Sequence, residues 1–218
     1  MSAVQVHVTA DFVCPWCWIG YRHLKDAISM AALDVPPHIH YLPFELNPDM
    51  PPEGMARRAY RTAKFGSWAR SQMLDAEVVE RGKSVGLCFY YERVAITPNT
   101  RLAHRLMAFA QAFGDASRVD TLFDSIFTAY FDAGQDIGKL DVLVSLAARA
   151  GFDADAVSDF LLSNAGNHDV IAAELSAMVA GVRAVPSVRI ADTTISGAQA
   201  ATVLVNVLRS AEAASAPC

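Results

Sequence analysis

The segment Cys14-Pro15-Trp16-Cys17 decides how this chain is interpreted, because it lies where a strand-like stretch gives way to a helix-like one. Residues 4–8 alternate valine with polar side chains, which is the period-two pattern of a strand with one better-buried face. Pro15 suits the first turn of a helix, since its missing N–H would have no partner there. The junction therefore predicts a strand followed by a helix that begins at the cysteine pair.

Two cysteines at the start of a helix form a candidate redox site. Unpaired backbone N–H groups and the positive end of the helix dipole favour a thiolate at Cys14, which makes it the predicted nucleophile. Cys17 lies on the same turn and is predicted to resolve a mixed disulfide formed on Cys14. Trp16 and Trp18 are each expected either to contact substrate or to pack around the site, and the sequence favours neither role.

A C-x-x-C pair also occurs in zinc sites, but structural zinc usually takes four ligands. The chain has 4 cysteines, with neither a second C-x-x-C segment nor a paired-histidine segment. Of the remaining cysteines, Cys88 lies in an apolar run, where we expect a small buried hydrophobe, and Cys218 is the last residue. The sequence therefore predicts no metal site and no cofactor beyond the dithiol.

The composition bounds the class of protein. With 218 residues, 53% hydrophobic content and 19% charged residues, the chain can bury a substantial core. A net charge of -5 argues against a nucleic-acid or anionic membrane partner. The main basic cluster is interpreted as the solvated face of a short helix. Its members are Arg57, Arg58, Arg61 and Lys64.

The compartment is inferred from segments that the sequence lacks. No apolar run approaches the ~18 residues needed to span a bilayer. The N-terminal residues lack the basic start and apolar run of a signal peptide. We therefore expect a cytoplasmic protein, in which an exposed dithiol would be catalytic or sensing rather than a structural disulfide.

The predicted elements run strand–helix–strand, then a long helical stretch, then helix–strand–strand–helix. This order predicts an α/β protein with a thioredoxin-like fold and a large all-helical insertion. We place the first half of the thioredoxin-like domain at residues 1–55, the helical insertion at 56–165 and the second half at 166–218. Within these helical segments, Asp141 and Asp153 are predicted N-caps.

Five segments in order resemble the FrnE-like branch of the DsbA family. They are residues 11–17, 43–51, 97–105, 185–187 and 196–199. The resemblance covers nearly the whole chain and implies that Cys14 attacks and Cys17 resolves. It also implies that Val185-Pro186 is the family loop with a cis proline, where the Val185 backbone pairs with an extended substrate. The predicted active-site loop residues are Pro15, Trp16, Val185 and Pro186.

One departure from related proteins concerns proton transfer. Thioredoxins and DsbA itself carry a buried acid six residues before the first cysteine, and Val8 occupies that position here. Glu45, at the end of the second predicted strand, is a candidate proton-transfer group. Burial statistics favour the alternative, an exposed strand-end carboxylate.

Two other functions stay open. The 98–105 pattern is also similar to that of 2-hydroxychromene-2-carboxylate isomerases and kappa-class glutathione transferases, which use glutathione. Those enzymes typically have serine at the position of Cys14 and an acid where this chain offers Gln199, so both departures favour dithiol chemistry. The third hypothesis is a non-enzymatic polypeptide-binding or chaperone module. Apolar residues at helical spacing usually belong to the hydrophobic core and not to a binding surface.

The sequence therefore favours a thiol–disulfide oxidoreductase or isomerase. Its expected partners are thiol- or disulfide-containing proteins, or small disulfides, with glutathione a candidate reductant or co-substrate. The physiological substrate, the redox direction and the choice between monomer and homodimer stay open.

Overall fold

The computed structural model describes residues 3–214, so Cys218 lies outside the described residues. The elements are β1 (Gln5–Ala10), α1 (Pro15–Ala31), β2 (His38–Pro43), β3 (Met55–Ala56), α2 (Arg57–Phe65), α3 (Trp68–Lys83), β4 (Ile96–Thr97), α4 (Arg101–Phe113), α5 (Ala116–Phe131), α6 (Leu140–Arg149), α7 (Ala154–Leu162), α8 (Asn167–Val179), β5 (Ser187–Ile190), β6 (Thr193–Ser196) and α9 (Ala201–Ala214).

Contacts group these elements into two compact units. The described residues of Met1–Phe44 and Ala173–Cys218 form one, which we call the thioredoxin-like unit, and Glu45–Ala172 form the other, the inserted unit. The inserted unit thus ends inside α8. The sequence predicted an insertion that runs from residue 56 to residue 165. The predicted fold class, a thioredoxin-like fold interrupted by a helical insertion, is confirmed.

The thioredoxin-like unit is built on a four-stranded sheet in the order β2-β1-β5-β6. β1 pairs parallel with β2 and antiparallel with β5, and β5 pairs antiparallel with β6. The predicted alternation is visible at the start of β1, where Val6 and Val8 are fully buried and Gln5 is exposed. It ends at Thr9, which is polar but buried. Helix α1 packs against α9. The central position of β1 places the residues that follow it in the interior.

The inserted unit is helical, with one short exception. β3 and β4 form a two-residue ladder in which Met55 pairs with Thr97 and Ala56 pairs with Ile96. Two paired residues are too few to show a strand period in sequence, which is why the predicted insertion was all-helical. The largest fully buried side chains of this unit include Phe123, Phe127 and Phe131 of α5.

The two predicted N-caps had different outcomes. The prediction for Asp153 is confirmed, because its side chain accepts a hydrogen bond from the Ala156 N–H at 2.9 Å. The prediction for Asp141 is wrong. Helix α6 begins at Leu140 with Lys139 as its N-cap, so Asp141 lies in the first turn. There its charge still faces the positive end of the helix dipole.

Within residues 3–214, none of the helices combines the length and apolar character that crossing a bilayer requires.

Candidate active site

Cys14 is the N-cap residue of α1. Its backbone is extended, with φ -94° and ψ 109°, and Pro15 starts the helix. A tight turn leads into this position, since the Cys14 N–H donates to the Asp11 carbonyl at 3.0 Å. One turn later the Cys17 N–H donates to the Cys14 carbonyl, also at 3.0 Å. The predicted helix start at the cysteine pair is therefore what the backbone shows.

The two thiols of the site are unbridged and differ in their surroundings. Cys14 is 6% exposed and Cys17 is 1% exposed. Burial raises the pKa of the Cys17 thiol well above its ordinary value, and a hydrogen bond with the Cys14 side chain raises that pKa further. This arrangement keeps Cys17 protonated at neutral pH and leaves Cys14 as the outer sulfur.

The 185–186 segment lies against the cysteine pair. The Val185–Pro186 peptide bond is cis, and the Cys14 thiol donates to the Val185 carbonyl at 3.8 Å. Pro186 is buried next to Gly20 of α1, where an added Cβ would lie 3.0 Å from the proline Cγ. Glycine at position 20 therefore allows the loop to approach the helix that carries the dithiol.

The residues next to the two cysteines in sequence differ in burial. Trp18 is 3% exposed and belongs to the core of the thioredoxin-like unit. Pro15 and Trp16 are half-buried, so part of each side chain stays accessible next to Cys14. The structure thus brings together all the predicted loop residues of this unit with the two cysteines.

Asp11 is a site residue that sequence reasoning missed. It is 0% exposed, on the turn between β1 and Cys14. Its negative charge is one of the causes that raise the pKa of the Cys17 thiol. The available signal was its place inside an uninterrupted buried stretch, because Ala10 and Phe12 on either side are apolar and are buried as well.

Glu45 is not the exposed strand-end carboxylate that burial statistics favoured. Strand β2 ends at Pro43, and the Glu45 side chain is 1% exposed. It belongs to the inserted unit, where the Arg101 Nε donates to Glu45 Oε2 at 2.6 Å. Arg101 also donates to Asn167 Oδ1 at 3.2 Å. A guanidinium therefore already balances the charge of Glu45.

The basic cluster of α2 is only partly solvated. The predicted solvated face is correct for Arg58 and Lys64, which are exposed, and wrong for the other two members. Arg57 donates to Asp75 Oδ2 at 2.7 Å and Arg61 donates to Asp75 Oδ1 at 2.5 Å. Arg57 is 4% exposed and Asp75 is 7% exposed. These three side chains form an ion network in the inserted unit, in which Arg57 and Asp75 are buried and Arg61 is half-buried.

The expected burial of Cys88 is wrong, because this residue is exposed. Its neighbours Leu87 and Phe89 are 5% and 6% exposed. In an extended segment, consecutive side chains point to opposite sides, so burial of residues 87 and 89 turns Cys88 outward. The thiol is therefore accessible to reagents and must be removed in experiments on the dithiol.

Residues 5–209 match the family model of the DSBA-like thioredoxin domain. The chain belongs to this family. It is 27% identical over 197 residues to the uncharacterized protein YwbO of Bacillus subtilis (strain 168), covering 89% of this chain and 90% of the relative. It also resembles the crystal structure of a probable DsbA oxidoreductase from Streptomyces coelicolor, with 26% identity, a TM-score of 0.86 and coverage of 99% and 92%.

A more distant likeness concerns the fold alone. A 2-hydroxychromene-2-carboxylate isomerase structure superimposes with a TM-score of 0.71 at 16% identity, covering 94% of each chain. The DsbA-like fold is therefore shared with an enzyme of different chemistry, and the residues of the site have to distinguish the two activities.

Proposed function

We propose that this DsbA-like protein is a thiol–disulfide oxidoreductase or isomerase that uses the Cys14–Cys17 dithiol. The observation that carries the proposal is the pair itself: an outer thiol at a helix N-terminus and a fully buried second thiol one turn later. Membership in a family of thiol–disulfide oxidoreductases supports it. The helix N-terminus stabilises negative charge on the outer sulfur, which is the form that attacks disulfides.

The proposed reaction runs in two exchanges. The Cys14 thiolate attacks one sulfur of a substrate disulfide, so a Cys14–substrate disulfide forms and the other substrate sulfur leaves as a thiolate. Cys17, after losing its proton, attacks Cys14 Sγ, so the Cys14–Cys17 disulfide forms and the second substrate thiolate leaves. The substrate gains two electrons and the dithiol loses two. In isomerisation, another thiol of the substrate attacks the mixed disulfide and regenerates Cys14.

The proposed substrates are disulfides of proteins or of small molecules, in a cytoplasmic setting. The Val185 carbonyl accepts from Cys14, and the half-buried Trp16 flanks the site. An extended peptide placed along residue 185 would bring its sulfur to Cys14. We propose glutathione as the thiol that returns the Cys14–Cys17 disulfide to the dithiol, with no metal or other cofactor.

The competing proposal is a glutathione-dependent isomerase or transferase, which the fold likeness to 2-hydroxychromene-2-carboxylate isomerase brings into consideration. Two residues speak against it. Cys14 stands where those enzymes typically have serine. Gln199 is exposed, and its side-chain amide donates to the Ser196 carbonyl of its own turn at 3.1 Å.

The proposed function is tested by trapping the mixed disulfide. We expect Cys17→Ser to accumulate a covalent adduct with a disulfide substrate such as insulin, because the second exchange is blocked, while Cys14→Ser forms none. Cys88→Ser serves as the matched control, since it removes the exposed thiol and should leave turnover unchanged. Turnover of a glutathione-dependent reaction by Cys14→Ser, with no adduct on Cys17→Ser, would favour the isomerase or transferase instead.

A further inference from the structure

We infer that Asp11 accepts the proton that Cys17 loses when it resolves the mixed disulfide on Cys14. This inference rests on the function proposed above and assigns a step within it. Related proteins carry a buried acid at the position of Val8, which is apolar and 1% exposed here, so another group has to accept the Cys17 proton.

The first support is burial. Asp11 is 0% exposed and Cys17 is 1% exposed, so bulk water does not reach the thiol to take its proton. A thiol attacks only as the thiolate. Resolution therefore needs an acceptor inside the protein or an internal water molecule, and a carboxylate is a suitable base for this step.

The second support is the local backbone. The Asp11 carbonyl accepts the Cys14 N–H at 3.0 Å, and the Cys14 carbonyl accepts the Cys17 N–H at 3.0 Å. These two hydrogen bonds place Asp11 and Cys17 on either side of Cys14 within one tight turn and the first turn of α1. The position of Asp11 is therefore tied to the same backbone that positions both sulfurs.

The third support is electrostatic. Burial contributes most to raising the pKa of the Cys17 thiol, and the Cys14 side chain adds to the rise. A hydrogen bond with the Asp11 backbone lowers this pKa, and the negative charge of Asp11 raises it by a smaller amount. Within residues 3–214, Cys14 and Asp11 are the ionisable side chains that act on this thiol. Glu45, the candidate predicted from sequence, is instead ion-paired with Arg101 inside the inserted unit.

The Cys17 S–H bond breaks and its proton moves to an Asp11 carboxylate oxygen, while the Cys17 sulfur forms a bond to Cys14 Sγ. The Cys14–substrate S–S bond breaks, and the substrate sulfur leaves as a thiolate with the electron pair. The Asp11 carboxylic acid then gives its proton to that thiolate or to solvent, and either route returns Asp11 to the carboxylate.

Two roles for Asp11 predict opposite effects of Asp11→Asn. If Asp11 were only a nearby negative charge, its removal would lower the pKa of Cys17, increase the thiolate fraction and speed resolution. If Asp11 accepts the proton, the asparagine variant loses the acceptor and resolution slows. We expect it to slow by about a hundredfold at pH 7, the lower end of what a positioned base contributes.

The test uses the full chain with Cys88→Ser and Cys218→Ser, so that the dithiol supplies all the sulfur chemistry. Under single-turnover conditions, Ellman's reagent releases one thionitrobenzoate when Cys14 attacks and a second when Cys17 resolves. We expect Asp11→Asn to slow the second release and to leave the first within about twofold. Its second release should rise with pH as Cys17 ionises to solvent base. Asp26→Asn, an exposed aspartate of α1, is the control for loss of one negative charge.

Several outcomes overturn the inference. A second release in Asp11→Asn that equals or exceeds the parent rate contradicts it, as does a slow second release in Glu45→Gln with a normal one in Asp11→Asn. If Asp11→Asn does not fold, Asp11→Ser takes its place: added formate, a small carboxylate, should speed its second release, and no response to formate contradicts the inference. If the parent itself shows no first release, the proposed function fails instead.

Discussion

Asp11 in the thioredoxin-like unit and Asp75 in the inserted unit are both buried aspartates, but they face groups of different chemistry. Asp75 accepts hydrogen bonds from Arg57 and Arg61, so its charge is balanced by guanidinium groups. The charge of Asp11 acts on the Cys17 thiol. The two guanidinium groups stabilise the ionised form of Asp75 and hold this part of the inserted unit together. For Asp11 we propose a different role, the exchange of a proton with the Cys17 thiol. Neighbours, rather than burial, separate the two roles.

The largest effect expected is on stability, from Asp75→Ala. This change leaves Arg57 buried without its carboxylate partner, and breaking a buried ion pair in this way costs about 3–5 kcal/mol of unfolding free energy. Urea unfolding followed by circular dichroism measures the loss. Glu77→Ala on the exposed face of α3 is the matched control and should stay within about 0.5 kcal/mol of the parent. A loss of less than about 1 kcal/mol of unfolding free energy in Asp75→Ala would show that the Asp75 ion network does not stabilise the fold.

A smaller effect is expected from Gly20→Ala, which alters the redox site without changing a charge. The new Cβ would lie 3.0 Å from Pro186 Cγ and 3.5 Å from Ala198 Cα, so the 185–186 loop must shift. We expect the first exchange on Cys14 to slow about fivefold, equal to about 1 kcal/mol in the barrier, because the Val185 carbonyl moves relative to the sulfur. Ser29→Ala, on the exposed side of α1, gives a comparable gain in helix propensity and should leave the rate unchanged. An unaltered rate in Gly20→Ala would mean that the loop position does not matter for exchange.

The smallest effect expected is acid sensitivity of the thioredoxin-like unit. Burial lowers the pKa of His7, and the charges of Arg189, His40 and His38 lower it further. Burial also lowers the pKa of His40, and the charge of His38 adds to that shift. Above the ordinary histidine pKa of about 6.5, both rings are neutral whether the chain is folded or unfolded. As pH falls below that value the unfolded chain binds protons first, so stability decreases until the folded rings protonate at their lowered pKa.

The histidine effect is measured as the urea midpoint at pH 7.5 and 5.5 in a Trp68→Phe variant, in which Trp16 and Trp18 of the thioredoxin-like unit supply the tryptophan fluorescence. The His7→Gln, His40→Gln double variant should show a smaller decrease between the two pH values. An equal decrease in parent and double variant would place the acid-sensitive groups elsewhere.

Local signals in the sequence predicted the features that depend on a few adjacent residues. The strand–helix junction at Cys14, the N-cap at Asp153 and the interrupted thioredoxin layout all follow from period, capping and element order. These patterns act over one or two turns of chain. These local patterns are therefore sufficient to predict the dithiol, its helix and the fold class.

The burial of charged side chains was harder to predict, because it depends on partners far along the chain. Arg57 lies 18 residues from Asp75, and Glu45 lies 56 residues from Arg101, so neither ion pair leaves a local pattern. Asp11 was overlooked because an aspartate in a turn is ordinarily exposed. For Cys88 the error was the opposite one, an exposed residue that was predicted to be buried. Its neighbours are all apolar, so the sequence does not show that Cys88 alternates with the buried Leu87 and Phe89.

The sheet that supports the dithiol is assembled from the two ends of the chain, and this determines when the site can exist. Cys14 and the Val185 carbonyl that it contacts are 171 residues apart in sequence. A ribosome releases β1 and α1 long before β5, whereas the inserted unit is continuous and can fold while synthesis proceeds. Closing such a long loop is entropically costly, and folding the inserted unit first shortens the effective loop. A growing chain thus carries its cysteines without their partner loop until β5 has been synthesised.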